Sequence, residues 1–329
     1  MSAAVRIGLL GCGTVGRGFI ELLSRERTRI AARHGVELDI GRILVRDETK
    51  ERAGVDRRLV TTSALDVLDD GCDVIVELIG GVHTAGAFVR RAIANGRDVV
   101  TANKALLAAS GAELFASAAD RGVAIGFEAS VCGAVPIVRV LQRGLAGDEI
   151  ESIRGVVNGT CNFILSRMEE GSTFASALRC AQERGFAEAD AGLDVDGEDA
   201  AQKMRILASL AFDAPVVDEH VVGIRWIEPR HLERARAGGN VIRLVASAER
   251  VAGGVALRVE PCELDANDPL ANVKDENNAV VVRARAAGEI VLSGKGAGAL
   301  PTASAVLADV VEMAWSGGRP RPPARRQPR

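Results

Sequence analysis

The chain has 329 residues, of which 47% are hydrophobic and 3% aromatic, and its formal net charge is −3. This length allows a large core and predicts two domains, whereas the charge balance and scarcity of aromatic residues argue against nucleic-acid binding. No apolar run is long enough to predict a membrane span, so we expect no membrane partner. The start of the chain lacks a signal peptide's basic region, and the six cysteines form no CxxC pair. We therefore expect reduced thiols and a cytoplasmic location.

The first predicted element is an apolar strand over residues 5–10, followed by a glycine-rich turn and a helix over residues 14–32. In this order a Gly-x-Gly-x-x-Gly motif predicts dinucleotide binding. The first glycine permits the tight turn, the second lets the backbone approach a pyrophosphate, and the third allows close contact between helix and strand. The phosphates would lie at the helix N-terminus. The predicted cofactor residues of this turn are Gly11, Gly13, Thr14, Val15 and Gly16.

The second predicted strand, residues 38–45, is followed by Arg46 and Asp47, with Lys50 and Arg52 further along. An NAD site would place an acid at the tip of this strand to bind the ribose hydroxyls. Because a cation comes first here, the pattern favours the 2′-phosphate of NADP. A solvated basic loop would explain the same residues.

Strands predicted over residues 73–79, 98–101 and 123–127 alternate with helices over residues 84–95 and 103–120. This alternation predicts an α/β fold with a Rossmann-type, doubly wound parallel sheet, in which ligands bind at the carboxyl ends of the strands. Lys104 would begin a helix, where its charge opposes the macrodipole, so it either binds a cofactor or substrate anion or is an ordinary surface lysine. The cofactor residues predicted at these strand ends are Ile79, Gly80, Thr101, Asn103 and Lys104.

An acidic stretch, residues 183–199, leads into an apolar helix in which we expect Asp196 to be the N-cap. On the helical wheel Asp199 and Lys203 fall on the apolar side, one turn apart, where unpaired charges are costly. Capping by Asp199 and a plain i,i+4 ion pair are alternatives. A calcium loop does not fit, because Gly192 and Lys203 occupy positions that require acids. A partly buried lysine near carboxylates is typical of proton transfer or of binding an ammonium group.

Beyond Leu210 we predict a helical stretch and then strands over residues 241–249, 255–261, 279–285 and 289–293. With the helix of Lys203 packed on it, this sheet would form an α+β substrate domain. Gly296 and Gly298 would allow the backbone to approach the nicotinamide, or would act as a hinge. A helix over residues 302–313 follows. The arginine- and proline-rich tail, residues 316–329, is predicted to be disordered.

The chain resembles the homoserine dehydrogenases over residues 5–313. The motifs that show this resemblance are VELIGG (76–81), VVTANKALLA (99–108), FEASVCGAVPI (127–137), VVNGTCNFILSRM (156–168), GFAEADAGLDVDGEDAAQK (185–203) and GKGAGALPTASAVLAD (294–309). The resemblance implies NAD(P)H-dependent interconversion of aspartate 4-semialdehyde and homoserine, in threonine and methionine biosynthesis, by a homodimer. It implies a nucleotide domain, residues 1–128, completed by a returning helix, residues 299–314, and a substrate and dimerisation domain, residues 129–298.

The resemblance also implies roles for individual residues. Lys203 corresponds to the proton donor, and Lys104 to a second lysine that binds cofactor or substrate and takes part in catalysis. The substrate-binding set comprises Glu188, Asp199, Asp194, Asn158, Gly159 and Thr160, and the cofactor set extends to Gly185 and Glu188.

The resemblance further implies a monovalent cation, usually sodium, bound by Glu128 and main-chain oxygens near Val131, Gly133 and Val135, although glycine and proline there also suit an ordinary turn. The chain departs from the family at Asp190-Ala191, where Asp-Pro is common, so this loop would be less rigid. Many bacterial members continue into a regulatory ACT domain. This chain ends soon after Met313, so feedback inhibition through such a domain is not expected.

Overall fold

The structure is a computed structural model that describes residues 4–315, and the tail predicted to be disordered, residues 316–329, lies outside the described residues. The chain folds into two compact units. Among the described residues, the first unit comprises residues 4–133 and 298–315, and the second comprises Ala134–Ala297. Within residues 4–315, every helix is too short or too polar to cross a lipid bilayer.

The first unit is built on a sheet of six strands. They are β1 (Val5–Leu10), β2 (Leu38–Leu44), β3 (Val60–Thr61), β4 (Val74–Glu77), β5 (Asp98–Thr101) and β6 (Ile125–Gly126). All strand pairs are parallel, in the order β3-β2-β1-β4-β5-β6. The order changes direction between β1 and β4, the point where doubly wound sheets bind ligands. The predicted α/β fold class is confirmed, and the two-residue strand β3 was not predicted.

Helices cover both faces of this sheet. They are α1 (Thr14–His34), α2 (Leu65–Leu68), α3 (His83–Ala94) and α4 (Lys104–Arg121). Alternate side chains of β1 enter different cores, as the two-residue period of a strand requires. Ile7 and Leu9 pack with Phe19 of α1, whereas Leu10 packs with Val89 of α3 and Leu106 of α4. The apolar strands are therefore buried on both sides.

The second unit contains a mixed sheet of six strands with helices. In chain order its elements are α5 (Ile137–Arg139), β7 (Ile150–Val156), α6 (Gly159–Glu169), α7 (Phe174–Glu183), α8 (Gly192–Val195), α9 (Glu198–Ala211), β8 (Val216–Val221), α10 (Pro229–Ala237), β9 (Asn240–Val251), β10 (Gly254–Asp265), β11 (Asn277–Ala284) and β12 (Gly288–Lys295). The strand order is β12-β11-β7-β9-β10-β8. Neighbours are antiparallel except β8 and β10, which are parallel.

The helix of Lys203, α9, packs on this sheet as predicted. The strand β8 directly follows it, where the sequence had indicated a helical stretch. The side chains of β8 are almost all exposed, so it has no apolar alternation from which a strand could be predicted. The prediction of Asp196 as the N-cap of α9 is wrong. Gly197, with φ +88°, occupies that position, and the Asp196 carboxylate accepts hydrogen bonds from Arg225 instead.

The last described helix, α11 (Ala299–Trp315), belongs to the first unit. It packs along α1, and its Val306 and Val310 lie in the same core as Ile7 and Phe19. A Cβ atom placed on Gly18 of α1 would lie 2.7 Å from the Ala299 carbonyl oxygen, so glycine permits this close approach of the two helices.

Candidate active site

The glycine turn lies at the carboxyl end of β1, where each glycine meets a different steric demand. Gly11 has φ +102°, and a Cβ atom on it would lie 2.9 Å from the Leu78 carbonyl oxygen. A Cβ on Gly16 would overlap the Gly11 carbonyl oxygen. Around Gly13 there is open space, with no described atom within 4 Å of such a Cβ. Gly11 and Gly16 therefore shape the turn, and Gly13 leaves room for a ligand.

The N-terminus of α1 faces this open space. Gly13 is the N-cap, and Thr14 and Val15 begin the helix. Among the described residues no side chain caps this end, and its first turn contains no acidic residue. Uncapped N–H groups and the positive end of the helix dipole favour an anion, so the turn fits the pyrophosphate of a dinucleotide.

The tips of β4 and β5 are joined through a buried carboxylate. Glu77, 0% exposed, accepts hydrogen bonds from the amides of Ile79 and Gly80 at 2.8 and 3.0 Å. Its other oxygen accepts the Thr101 hydroxyl at 2.6 Å. The Thr101 oxygen in turn accepts the Asn103 amide at 3.1 Å, and Asn103 caps α4. Four predicted cofactor residues are therefore brought together, and the half-buried Lys104 begins α4 beside them.

The tip of β2 carries the exposed Arg46. The next residue, Asp47, accepts hydrogen bonds from the Thr49 hydroxyl and amide at 2.6 and 2.8 Å. These hydrogen bonds lower the pKa of the Asp47 carboxyl below its usual value. Asp47 is thus engaged in a local turn, and both it and Arg46 are exposed.

In the second unit, Lys203 and Asp199 form a buried pair on α9. Lys203 Nζ lies 2.7 Å from Asp199 Oδ2, and the two side chains are 13% and 10% exposed. Lys203 also donates to the Val157 carbonyl oxygen at 2.7 Å. The predicted burial of both charges is confirmed, and the i,i+4 pair anticipated as an alternative is present within it. An oriented, largely dehydrated ammonium group can stabilise and protonate a developing alkoxide.

Asn158 connects this pair to the acidic loop. Its amide nitrogen donates to Asp199 Oδ2 and to Asp194 Oδ1, both at 2.7 Å, and its oxygen caps α6 by accepting the Cys161 amide. Asp194, Asp199, Asn158 and Lys203 therefore form one connected network. Cys161, not identified from the sequence, donates its thiol to the Asp194 carbonyl at 3.1 Å. Burial, followed by the charges of both aspartates, raises the pKa of this thiol well above its usual value.

Two further residues predicted to bind substrate have structural contacts beside this network. A Cβ atom on Gly159 would lie 2.8 Å from the Glu276 carbonyl oxygen, so this position requires glycine for close backbone packing. The Thr160 hydroxyl donates to the Phe186 carbonyl at 2.7 Å, which fixes the start of the acidic loop.

Glu188 and Gly185 are not brought into the network. Both are exposed in the loop between α7 and α8. Gly185, with φ +75°, follows Arg184, the C-cap of α7. The main-chain oxygen of Glu188 accepts from Gln182 at 3.2 Å, and within the described chain its carboxylate forms no hydrogen bond or ion pair. The role in substrate binding that the resemblance implies for Glu188 stays a prediction.

Gly296 makes room for a side chain that sequence reasoning missed. A Cβ atom there would overlap the amide of Asn278, which is 1% exposed. Asn278 donates to the Val157 carbonyl oxygen at 3.1 Å, the same oxygen that binds Lys203. The packing of Asn278 is thus a simpler reason for glycine at position 296 than the approach of the backbone to a nicotinamide or a hinge. Gly298, with φ +124°, precedes α11.

The residues predicted to bind a monovalent cation fall in both units. Glu128, Val131 and Gly133 belong to the first and Val135 to the second. Glu128 is 3% exposed, and its amide donates to Asp309 Oδ2 of α11 at 2.9 Å. Across residues 4–315 no three His, Cys, Asp or Glu side chains are grouped to bind a metal ion. The binding of a cation by these residues stays a prediction.

A doubly wound sheet with an open glycine turn at its switch point and a buried lysine held by a carboxylate and a main-chain carbonyl are the features of an NAD(P)-dependent oxidoreductase. Comparison with known families agrees. The family model described as "Homoserine dehydrogenase, NAD binding domain" matches residues 11–128, and the one described as "Homoserine dehydrogenase" matches residues 136–311. The chain belongs to the homoserine dehydrogenase family.

Individual relatives show how far the similarity extends. The homoserine dehydrogenase of Corynebacterium glutamicum is 43% identical over 96% of this chain and 74% of its own. The crystal structure of a homoserine dehydrogenase from Thiobacillus denitrificans has a TM-score of 0.92 and 41% identity, over 96% of this chain and 74% of that one. A hyperthermophilic archaeal homoserine dehydrogenase in complex with NADPH has a TM-score of 0.81 and 31% identity, over 96% of this chain and 98% of that one.

Proposed function

We propose that the chain catalyses the reversible NAD(P)H-dependent reduction of L-aspartate 4-semialdehyde to L-homoserine, and that Lys203 is the proton donor. The observation that supports this most strongly is the buried ion pair between Lys203 and Asp199, whose atoms lie 2.7 Å apart on α9. Two charges this far from water are costly for folding alone, so a chemical role explains their retention better than a structural one does.

The nicotinamide, when bound, supplies a hydride to the aldehyde carbon. Negative charge then gathers on the aldehyde oxygen, where the Lys203 ammonium stabilises it and donates a proton. The Val157 carbonyl and Asp199 hold the ammonium in position. Asp199 and Asp194 both accept hydrogen bonds from Asn158, and their negative charges attract the α-ammonium of the substrate. Glu188, exposed in the loop before α8, is the second acid that we propose for this α-ammonium group. Lys104 binds an anionic group of cofactor or substrate.

The cofactor is held by the glycine turn and by the strand tips at Ile79, Gly80, Thr101 and Asn103. We propose that NADP is preferred over NAD. The exposed Arg46 offers a cation to the 2′-phosphate, while the Asp47 carboxylate is occupied by Thr49. We also propose that a monovalent cation, sodium by the family resemblance, binds at Glu128. Turnover in sodium compared with choline at equal ionic strength tests this.

The working form that we propose is a cytoplasmic homodimer. The six cysteines form no CxxC pair, which suits a reducing compartment. Val216 and Val217 on β8 and Val291 on β12 are exposed, and these strands are the two edges of the second sheet. An exposed apolar edge strand is a ready site for pairing with another chain.

The direct test is the oxidation of NADPH, followed by its absorbance, with L-aspartate 4-semialdehyde as substrate. The assay is repeated with NADH and with unrelated amino- or keto-acid carbonyl compounds. We expect turnover with the semialdehyde and a higher kcat/KM for NADPH than for NADH. A stronger reaction with another amino or keto acid would indicate a different dehydrogenase. Tight NADPH binding without turnover would indicate a non-catalytic NADP sensor, and either result would overturn the proposal.

A further inference from the structure

Glu77 is a charged residue in an apolar setting. It ends β4, whose four residues are all buried, and is 0% exposed. Burying a carboxylate away from water is costly unless its oxygens receive hydrogen bonds. A residue that serves only to fill the end of this strand would be apolar, as Val74, Ile75 and Val76 are. The carboxylate therefore needs an explanation from its partners.

Each hydrogen-bond partner of the carboxylate within the described residues is a donor. One oxygen receives the Ile79 and Gly80 amides at 2.8 and 3.0 Å, and the other receives the Thr101 hydroxyl at 2.6 Å. The first two donors belong to the turn after β4, and the third is the last residue of β5. One side chain thus fixes the tips of two neighbouring strands at the switch-point edge of the sheet.

The hydrogen bonds continue from Thr101 into the start of α4. Because Thr101 gives its single hydroxyl proton to Glu77, its oxygen is available to accept the Asn103 amide, at 3.1 Å. Asn103 accepts the Leu106 amide at 3.1 Å and donates to the Gly81 carbonyl at 2.6 Å. The series returns to the turn after β4, so Glu77 helps to hold the first turn of α4, which Lys104 begins.

The glycine turn also depends on this carboxylate. The Ile79 amide points to Glu77, and in a trans peptide the Leu78 carbonyl must point the opposite way. That carbonyl oxygen would lie 2.9 Å from a Cβ on Gly11. The peptide fixed by Glu77 is therefore the surface against which Gly11 packs.

We propose that Glu77 is a positioning residue for the nicotinamide cofactor. Its carboxylate sets the backbone of residues 78–81, the start of α4 and the support of the glycine turn, without itself binding the ligand. This inference rests on the proposed cofactor edge. It adds a residue to that edge on which cofactor affinity depends.

The test is Glu77→Gln in the full-length chain. The amide keeps the shape of the side chain but replaces one acceptor with a donor. If its oxygen still accepts the Ile79 and Gly80 amides, its nitrogen faces Thr101, whose hydroxyl proton then loses its acceptor. We expect the Kd and KM for NADPH to rise about tenfold, the loss of one hydrogen bond to a charged group. KM for the semialdehyde should rise less than KM for NADPH, because its proposed binding residues other than Lys104 lie in the second unit. Hydrogen exchange at the Ile79 and Gly80 amides should quicken.

The matched control is Glu113→Gln on the surface of α4, where Glu113 pairs with Arg90 at 2.7 Å with its side chain 57% exposed. It should leave both KM values unchanged. If Glu77→Gln does not fold, the same two KM values, for NADPH and for the semialdehyde, are measured in Glu77→Asp, which keeps the charge on a shorter side chain. An unchanged NADPH affinity in a folded variant, or an equal rise in both KM values, would overturn the inference. NADPH affinity is measured without substrate, so this result stands even if the wild-type chain does not reduce the semialdehyde.

Discussion

At the scale of single residues, the pairing of Lys203 with Asp199 makes each side chain sensitive to loss of the other. Both are more than four-fifths buried, and removing one partner leaves an uncompensated charge. We expect Asp199→Asn or Lys203→Met to lower the free energy of unfolding by about 3 kcal/mol. The double variant should lose less free energy of unfolding than the two single variants lose together, since neither charge then remains unpaired. Denaturant unfolding of all four proteins measures this.

The ion pair of Arg90 with Glu113 is the control for these variants of Lys203 and Asp199, because its side chains are 42% and 57% exposed. Glu113→Gln should cost less than about 1 kcal/mol. If the Lys203 and Asp199 variants lose as little free energy of unfolding as this control, the pair is solvated in solution. The argument that its burial indicates a chemical role then fails.

A substitution at Gly13 should weaken cofactor binding without affecting folding. Its φ of −82° suits any residue, and a Cβ there would meet no described atom within 4 Å. We therefore expect Gly13→Ala to leave the melting temperature unchanged and to raise the Kd for NADPH about tenfold, because the added methyl group would stand where the pyrophosphate approaches. Gly147→Ala, also in open space but in the second unit, is the control. Equal NADPH affinity in both variants would remove Gly13 from the site.

The sequence predicts single residues well where the signal is local. The positions of Asp199 and Lys203 follow from the helical period alone, and the glycine spacing indicates the turn. Asn278 could not be found in this way. Its partner Val157 lies 121 residues away, and an asparagine near a strand start has no pattern of its own. Glu77 did leave a signal, since it is the one acid in an apolar strand.

At the scale of secondary structure elements, Asp148 shows how one carboxylate can hold a hairpin. It precedes β7 and accepts hydrogen bonds from the amides of Ala286 and Ala287, in the turn between β11 and β12. The Ala286 amide, then the Ala287 amide, lower the pKa of Asp148 below its usual value. The stabilisation is therefore complete above about pH 4 and is lost as the pH falls through the folded-state pKa.

For Asp148→Asn we expect a lower melting temperature than the wild type at pH 7, and a difference that narrows as the pH falls below about 4. Melting curves across this range measure the difference. Asp120→Asn, at the exposed end of α4, should follow the wild type throughout. A difference for Asp148→Asn that stays constant down to low pH would show that the hairpin does not depend on the carboxylate charge.

The elements that could be predicted are those with a strong period and a marked end. The strands β1 and β5 were predicted to the residue, and α1, α3 and α4 to within two residues at each end. The strands β7 and β8 were missed. Their pairing depends on partners far along the chain, and β8 is nearly all exposed, so propensity and alternation gave no signal. The start of α9 was misplaced because both Asp196 and Gly197 suit an N-cap, and Arg225, which binds Asp196, follows only later in the chain.

At the scale of the whole molecule, the proposed homodimer makes a prediction about mass. Light scattering at micromolar concentration should give twice the chain mass of 34.5 kDa. A charge on an exposed edge strand, as in Val217→Lys or Val291→Lys, should reduce the dimer if that edge forms the contact. A monomer at every concentration tested would contradict the proposal.

The central claim is that Lys203 transfers the proton, and the most direct measurement is the single-turnover oxidation of NADPH by L-aspartate 4-semialdehyde in the wild type and in Lys203→Met. Methionine keeps the apolar stem and removes the ammonium group. We predict that the rate falls at least about a hundredfold, the contribution of a positioned general acid, while the Kd for NADPH stays within about twofold. A folded Lys203→Met protein that turns over at a near-normal rate would contradict the account.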